Sequence, residues 1–411
     1  MKNIYKDIQN CRISGSSELV TILELGDQPL ANALKKMPNE KEVKIPLTLM
    51  YCPDSSLVQL KETVNKEILF SSYTWVTGTS PTTRNYAKLF FQRVFDTAKP
   101  ASGDLIVEVA SNDGTFLMPF IEHSYCNILG VDPAKNIARE ANKRGVRTLS
   151  KFWGKLVAEE IIKDIGSAKI VIARNVIPHV SLLHDVIAGI EHVLRDDGVG
   201  IIEFHYAGKI LQELHYDSIY HEHLCYFSIK SIVYLLGLYA LVPFHIDTSP
   251  ISGGSYVIYF SKRKLQKSSD YLNLLEKENS LGVNNVQTWK NFAKACYVNR
   301  QKSIDIVKSF STKKVLGFGA SARSSTYLNF CGFDSSCIRA IIDNSPLKQG
   351  MYSPGTSIPI VSMKNGMRMN PDLIFIFAWN FRDEIMNECR ASGYKGEFLL
   401  AFPNNPYYFK G

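Results

Sequence analysis

The densest chemistry in the chain lies at Tyr220-His221-Glu222-His223, where two imidazoles, a carboxylate and a phenol occupy four consecutive positions. Histidine titrates near neutral pH and suits removal of a weakly acidic proton, such as one beside a carbonyl. A neighbouring carboxylate can fix its tautomer. Zinc of the peptidase type fits poorly, because that motif spaces its ligands H-E-x-x-H and these histidines are only two apart. In an extended segment His221 and His223 share one face and Tyr220 and Glu222 the other, so one pocket does not receive all four. A solvated polar turn is the bland alternative.

A second constellation runs from Val107-Glu108-Val109 through Ala110-Ser111-Asn112-Asp113-Gly114-Thr115 to Phe116-Leu117. Small residues between a strand and a helix let a ligand approach the backbone at the strand's carboxyl end. The next strand ends in Gly130-Val131-Asp132-Pro133, which sets an acid where a ribose diol would bind. Any doubly wound fold places Gly and Asp at strand ends, so neither piece decides alone. Acids on both strands, with no G-x-G-x-x-G, favour S-adenosylmethionine over a dinucleotide.

A third signal, Gly317-Phe318-Gly319-Ala320-Ser321-Ala322, does fit G-x-G-x-x-A, and Asp343 ends the following strand. That is a dinucleotide fingerprint and supports a rival reading as a nicotinamide oxidoreductase. The same loop, with exposed helix-start amides, Arg323 and Lys348, could instead hold the diphosphate of a nucleotide sugar. A purely structural strand-to-helix turn is the third possibility.

The elements that must position these groups follow from periodicity. Residues 1–85 read as a small irregular module and Tyr86–Ala98 as a helix. Strands are expected at Leu105–Val109, Ile128–Val131, Ile170–Ala173 and Val199–Glu203, with helices between them, one running from Leu182 to Leu194. Ser228 caps a further helix. Residues from Ser268 to Phe310 read as one long connecting helix. A second alternating unit carries strands at Lys314–Gly317, Ile338–Ile342 and Leu373–Ala378. The fold class is therefore α/β, with parallel sheets covered by helices. The expected domains are 1–85, 86–265 and 266–411.

Composition bounds the function. The chain has 411 residues, 45% hydrophobic and 21% charged, as expected of a folded protein with two or three cores. Its net charge of +8 is dispersed, which favours small anionic ligands over nucleic acid. Apolar runs are too short for a membrane span and no signal peptide is read, which together imply a cytoplasmic protein. The eight cysteines are scattered and suggest no disulfide framework.

Taken together these residues resemble the three-domain sugar C-methyltransferases, which methylate a nucleotide-linked 4-keto sugar at C3 in deoxysugar biosynthesis. The resemblance spans nearly the whole chain. It is carried by Leu25-Gly26-Asp27-Gln28-Pro29-Leu30, Glu108 to Leu117, Gly130 to Pro133, Asn175-Val176 with His179, Tyr220 to Tyr226, Gly253-Gly254-Ser255, Asp343-Asn344-Ser345-Pro346 and Ala378-Trp379-Asn380-Phe381. It implies a Rossmann-like methyltransferase domain between an N-terminal zinc-type module and a second Rossmann-like domain.

The resemblance also implies roles. His223 would be the base, supported by Tyr220 and Glu222, with His179 and Asn175 bordering donor and acceptor. S-adenosylmethionine would contact Glu108, Ala110, Ser111, Asn112, Gly114, Phe116, Leu117, Asp132, Pro133, Asn175 and Val176. Tyr73 or Trp75 would close the cleft. Gly319, Ala320, Arg323, Asp343 and Lys348 would hold the nucleotide part, dTDP or another. Three departures stand out: Ala110 where the family usually has Gly, His205 where Pro is common, and Ser14 and Ser55 in place of the second cysteine of two C-x-x-C pairs. With only Cys11 and Cys52 left, bound structural zinc is not expected.

Overall fold

The computed structural model describes residues 4–70, 77–79, 81–249 and 253–410. The N-terminal residues are more regular than expected. Strands Val20–Pro29, Lys44–Tyr51 and Val58–Leu60 pair antiparallel; Lys44–Tyr51 buries every second residue and Val58–Leu60 is buried throughout. A fourth strand comes from far along the chain: Cys225–Tyr226 pairs with Val58 and Gln59. The segment holding His223 is thus sewn into the N-terminal sheet.

Helix Pro81–Ala98 crosses the expected 85/86 boundary and turns Tyr86, Phe90 and Val94 inward. The central sheet runs Val242–Ser249, Ser255–Ser261, Leu194–His205, Ala168–Arg174, Ile106–Val109, Ile128–Val131 and Thr148–Leu149. The last five are parallel, four of them as periodicity predicts, with Thr148–Leu149 unforeseen; Ser255–Ser261 runs antiparallel to its neighbours on both sides. Sequence reading missed this antiparallel pair, although Tyr256-Val257-Ile258-Tyr259-Phe260 is a strongly strand-forming run. The strand order reverses between Ile106–Val109 and Ala168–Arg174, and ligands of open α/β sheets bind at the carboxyl ends beside such a switch point.

The expected long helix is two, Ser269–Ser280 and Val286–Ser309. Gly282 adopts φ +62° and the Asn285 side chain accepts from the Gln287 N–H, so the chain stops and restarts within one turn. The C-terminal sheet runs Ile360–Val361, Ile341–Ile342, Val315–Phe318, Leu373–Ile376, Glu397–Leu400 and Tyr407–Phe409, all parallel except the last. Helix Ala322–Cys331 follows its first strand and packs on the turn Tyr216–Ser218 of the central unit. Six of the cysteines are buried, among them Cys296 and Cys389 in apolar surroundings.

Candidate active site

Strand Ile106–Val109 ends in a loop with left-handed backbone at Ala110, Asn112 and Gly114, φ +54°, +50° and +75°. A β-carbon on Gly114 would sit 2.6 Å from Val146 Cγ2, so glycine is required there. Asn tolerates this region, whereas Ala110 holds it at a cost of about 1–2 kcal/mol. Asp132 accepts from the Asn112 N–H at 2.9 Å and from the Ala134 N–H at 2.9 Å, which ties the second strand end to the loop. On the other side the Thr77 N–H donates to the Asn112 side chain at 2.9 Å. Tyr73 and Trp75 lie outside the described residues.

Two buried polar atoms face no partner among the described residues here, Glu108 Oε2 and Ser111 Oγ. Burial raises the Glu108 carboxyl to about 8, the nearby Arg174 guanidinium opposing this. Burial also lifts Asp132 above the usual carboxylate range. Such orphaned acceptors suit a cationic, hydroxyl-rich ligand. Phe116 and Leu117, expected to touch the donor, instead turn into the core, with the Phe116 ring edge-on to Phe90 and the Arg174 guanidinium 3.1 Å from its centre. The turn that precedes helix Met118–Glu122 directs both side chains into the layer between helix and sheet, which residue type alone does not reveal. Sequence reading missed Arg174, whose neighbourhood of acids is assembled only by the fold.

Strand Ala168–Arg174 delivers Asn175, whose left-handed φ of +49° lets its N–H donate to Glu203 O at 2.8 Å. The 3₁₀ turn Ile177–His179 then carries His179 over the sheet edge, where its Nδ1 contacts Glu222 O at 2.7 Å. Burial lowers this imidazole to about 4, so it is neutral.

The segment 220–223 is a turn, and the extended-segment expectation fails. His223 N–H bonds Tyr220 O at 2.8 Å, which brings the Tyr220 hydroxyl to 2.7 Å from His223 Nε2. His223 Nδ1 lies 2.8 Å from Ser218 O, an acceptor that requires Nδ1 to carry the hydrogen and leaves Nε2 as the basic atom. Burial, with His179 and Arg323 adding to it, holds the imidazole well below its ordinary range. The His179 ring stands edge-on, 4.8 Å away between centres. Glu222 accepts from the Asn32 amide at 2.7 Å, and burial raises it to about 7. His221 turns away to Pro46 O, 3.0 Å, so it does not share a pocket with His223.

The C-terminal unit closes this face. Trp379 Nε1 donates to Asp217 at 2.8 Å and Thr326 Oγ1 to Ile219 O at 3.0 Å. Arg323 lies 5.3 Å over the Trp379 ring. The Gly317 loop differs from expectation, because several of its amides are taken. Ala320 N–H donates to Asp343, Ser321 N–H to Ser324 Oγ and Ser324 N–H to Ser321 Oγ, and Gly319 N–H to Ile342 O. Lys348 Nζ donates to Ala320 O at 2.7 Å and contacts Asp343 at 3.3 Å. Asp343 and Lys348 therefore brace the loop, and Arg323 stands at the junction against Trp379.

The strand order and the polar loop at its switch point define an S-adenosylmethionine-dependent methyltransferase unit. Comparison with known proteins agrees. Residues 82–239 match the methyltransferase domain family, residues 250–403 the C-methyltransferase C-terminal domain family and residues 11–70 the family described as a putative zinc binding domain. The chain is 30% identical over 410 residues to the C-methyltransferase NovU of Streptomyces niveus, covering 98% of this chain and 97% of that one. It belongs to the C-methyltransferase family. Among solved structures, a Pyrococcus horikoshii OT3 protein, PH0226, aligns with 48% of this chain and 98% of its own at 16% identity and a TM-score of 0.36. Magnesium protoporphyrin IX methyltransferase of Synechocystis PCC 6803 with bound SAM aligns with 44% and 79% at 14% identity and a TM-score of 0.32.

The zinc implied for residues 11–70 does not fit the donors present. Cys11 Sγ lies 3.1 Å from Ser55 Oγ and Cys52 Sγ 3.5 Å from Ser14 Oγ, so the four positions converge as thiol–hydroxyl pairs. Neutral hydroxyls are weak zinc donors, and two thiolates do not complete a structural tetrahedron. Purified protein is expected to hold substoichiometric zinc by elemental analysis, and the double variant S14C/S55C to gain it. One zinc per wild-type chain would contradict this reading.

Proposed function

We propose that this C-methyltransferase acts on a nucleotide-linked 4-keto sugar, methylating a carbon beside the ketone, C3, through an enolate. The observation that carries the reading is the His223 imidazole, neutral, buried and locked by Ser218 O so that Nε2 is the atom able to take a proton. A C4 ketone acidifies the adjacent C–H bonds, and such a proton requires a positioned base of this kind. The Tyr220 hydroxyl at Nε2 marks the place of that C–H and yields it as the sugar docks. The His179 ring borders the same imidazole, and Asn32 holds the Glu222 carboxylate of the adjoining residue.

Bound S-adenosylmethionine supplies the electrophilic methyl group. Glu108, Ser111, Asn112 and Asp132, with Ala110, Gly114, Pro133, Asn175 and Val176 around them, would hold it, Asp132 receiving the ribose hydroxyls. Arg323 would receive the diphosphate, with Gly319, Ala320, Asp343 and Lys348 shaping the loop behind it. In a water-poor junction a fixed cation and fixed dipoles stabilise the developing enolate.

Incubation with S-adenosylmethionine and nucleotide-linked 4-keto-6-deoxy sugars in deuterated water tests the reading. The expected product is heavier by one methyl group, with deuterium entering beside the ketone when donor is withheld. Fragmentation or NMR locates the methyl at C3 or C5. Intact donor binding with neither methylation nor exchange across the panel would overturn the substrate assignment.

Donor binding is expected to depend on pH. A sulfonium favours the ionised Glu108, whose carboxyl is raised to about 8, so below that pH binding must release a proton. Affinity should rise with pH, approaching about tenfold per unit, and level above about 8. Calorimetry in buffers of different ionisation enthalpy reads the released proton directly. Glu108→Gln should flatten the profile; an unchanged slope would remove Glu108 from the donor site.

A further inference from the structure

We infer that His205 is a specificity-determining residue that hydrogen-bonds a hydroxyl of the sugar ring, an inference that rests on the nucleotide-sugar reading above. His205 closes strand Leu194–His205, at the carboxyl end of the parallel sheet. It is 8% exposed, and neither ring nitrogen finds a hydrogen-bond partner among the described residues. Burying an imidazole without partners is costly, and a native site that keeps one awaits a partner from outside the chain.

Its surroundings locate that partner. The His215 ring stacks 6.0 Å away; its Nε2 lies 3.1 Å from the Glu213 carboxylate, although neither of its ring nitrogens makes a well-aligned hydrogen bond among the described residues. His215 also lies against Trp379, 4.2 Å between ring centres, and Trp379 in turn carries Arg323. Arg323, His215 and His223 are its titratable neighbours, which places His205 between the base and the junction. Burial and these neighbours hold His205 well below the ordinary imidazole range, hence neutral. A neutral imidazole has one donor and one acceptor, the complement of a hydroxyl, whereas phosphate oxygens are matched by Arg323.

The test compares wild type, His205→Phe and His205→Gln. Each is titrated calorimetrically with a nucleoside diphosphate alone and with the matching nucleotide-linked 4-keto-6-deoxy sugar, and its Tm is measured. His205→Phe should weaken the sugar ligand by about 10- to 100-fold while leaving the diphosphate within about twofold. His205→Gln should recover part of the loss. Because no hydrogen bond among the described residues is broken, the Tm of His205→Phe should stay level or rise, whereas a structural role would lower it. Equal affinity of wild type and His205→Phe for the sugar, or an equal loss for both ligands, would overturn the inference alone. A wild-type protein that binds no panel member would overturn the substrate reading and this inference with it.

Discussion

Replacing His223 with Asn is expected to lower methyl transfer by about 10²- to 10⁴-fold, the range of a lost general base. Asn can still donate to Ser218 O, so the turn held by the His223 N–H to Tyr220 O bond should survive. What disappears is the lone pair at Nε2. Deuterium exchange beside the ketone, measured with donor withheld, should vanish along with turnover. Donor affinity should hold within about twofold, because the donor loop at Ala110 to Gly114 belongs to a different strand end. Tyr220→Phe removes the hydroxyl 2.7 Å from Nε2 but leaves the base, so a smaller loss is expected. Turnover and exchange within tenfold of wild type in His223→Asn would remove His223 from the proton-transfer role.

Glu203→Gln is expected to be among the most destabilising single changes in the central unit. The Glu203 side chain has no exposed surface, and the Arg174 guanidinium, itself 8% exposed, reaches it at 2.7 Å. Ser249 Oγ donates to the other carboxylate oxygen at 2.6 Å, and the Tyr86 hydroxyl lies 3.4 Å from it. One carboxylate therefore ties two parallel strands, the antiparallel edge and helix Pro81–Ala98. Neutralising it leaves Arg174 buried and only partly compensated, a loss of about 3–5 kcal/mol. At roughly 2–4 °C per kcal/mol for a unit of this size, thermal unfolding should fall by about 10 °C. The double variant Arg174→Met with Glu203→Leu should recover part of it, since matched apolar groups need no compensation. A Tm within about 2 °C of wild type would show that the pair contributes little.

Arg174 also illustrates why such a network escapes a reading of one sequence. Its ion-pair partner Glu203, held in turn by Ser249, lies far along the chain, and nothing in the local run Ile170 to Arg174 announces it. The same holds for Asn32 on Glu222 and for the strand Cys225–Tyr226 laid against Val58 and Gln59. The break at Gly282 was local and legible, in Gly282-Val283-Asn284-Asn285, but helical spacing on both sides outweighed it. Ser228, by contrast, caps its helix as expected, accepting from the Ser231 N–H at 3.1 Å.

Sequence alone determined the parallel strands, the acids at Glu108 and Asp132, the four polar residues at 220–223, the loop at Gly317 and the loss of half the thiols near Cys11 and Cys52. These are matters of period and residue type, which act over a few positions. Tertiary structure decided which way each side chain points. It folded 220–223 into a turn, so Tyr220 meets His223 and His221 leaves. It sent Phe116 and Leu117 into the core, occupied amides of the Gly317 loop, and left His205 buried without a hydrogen-bond partner among the described residues. Hydrogen-bond partners and burial are settled by segments distant in sequence, and local pattern carries no record of them.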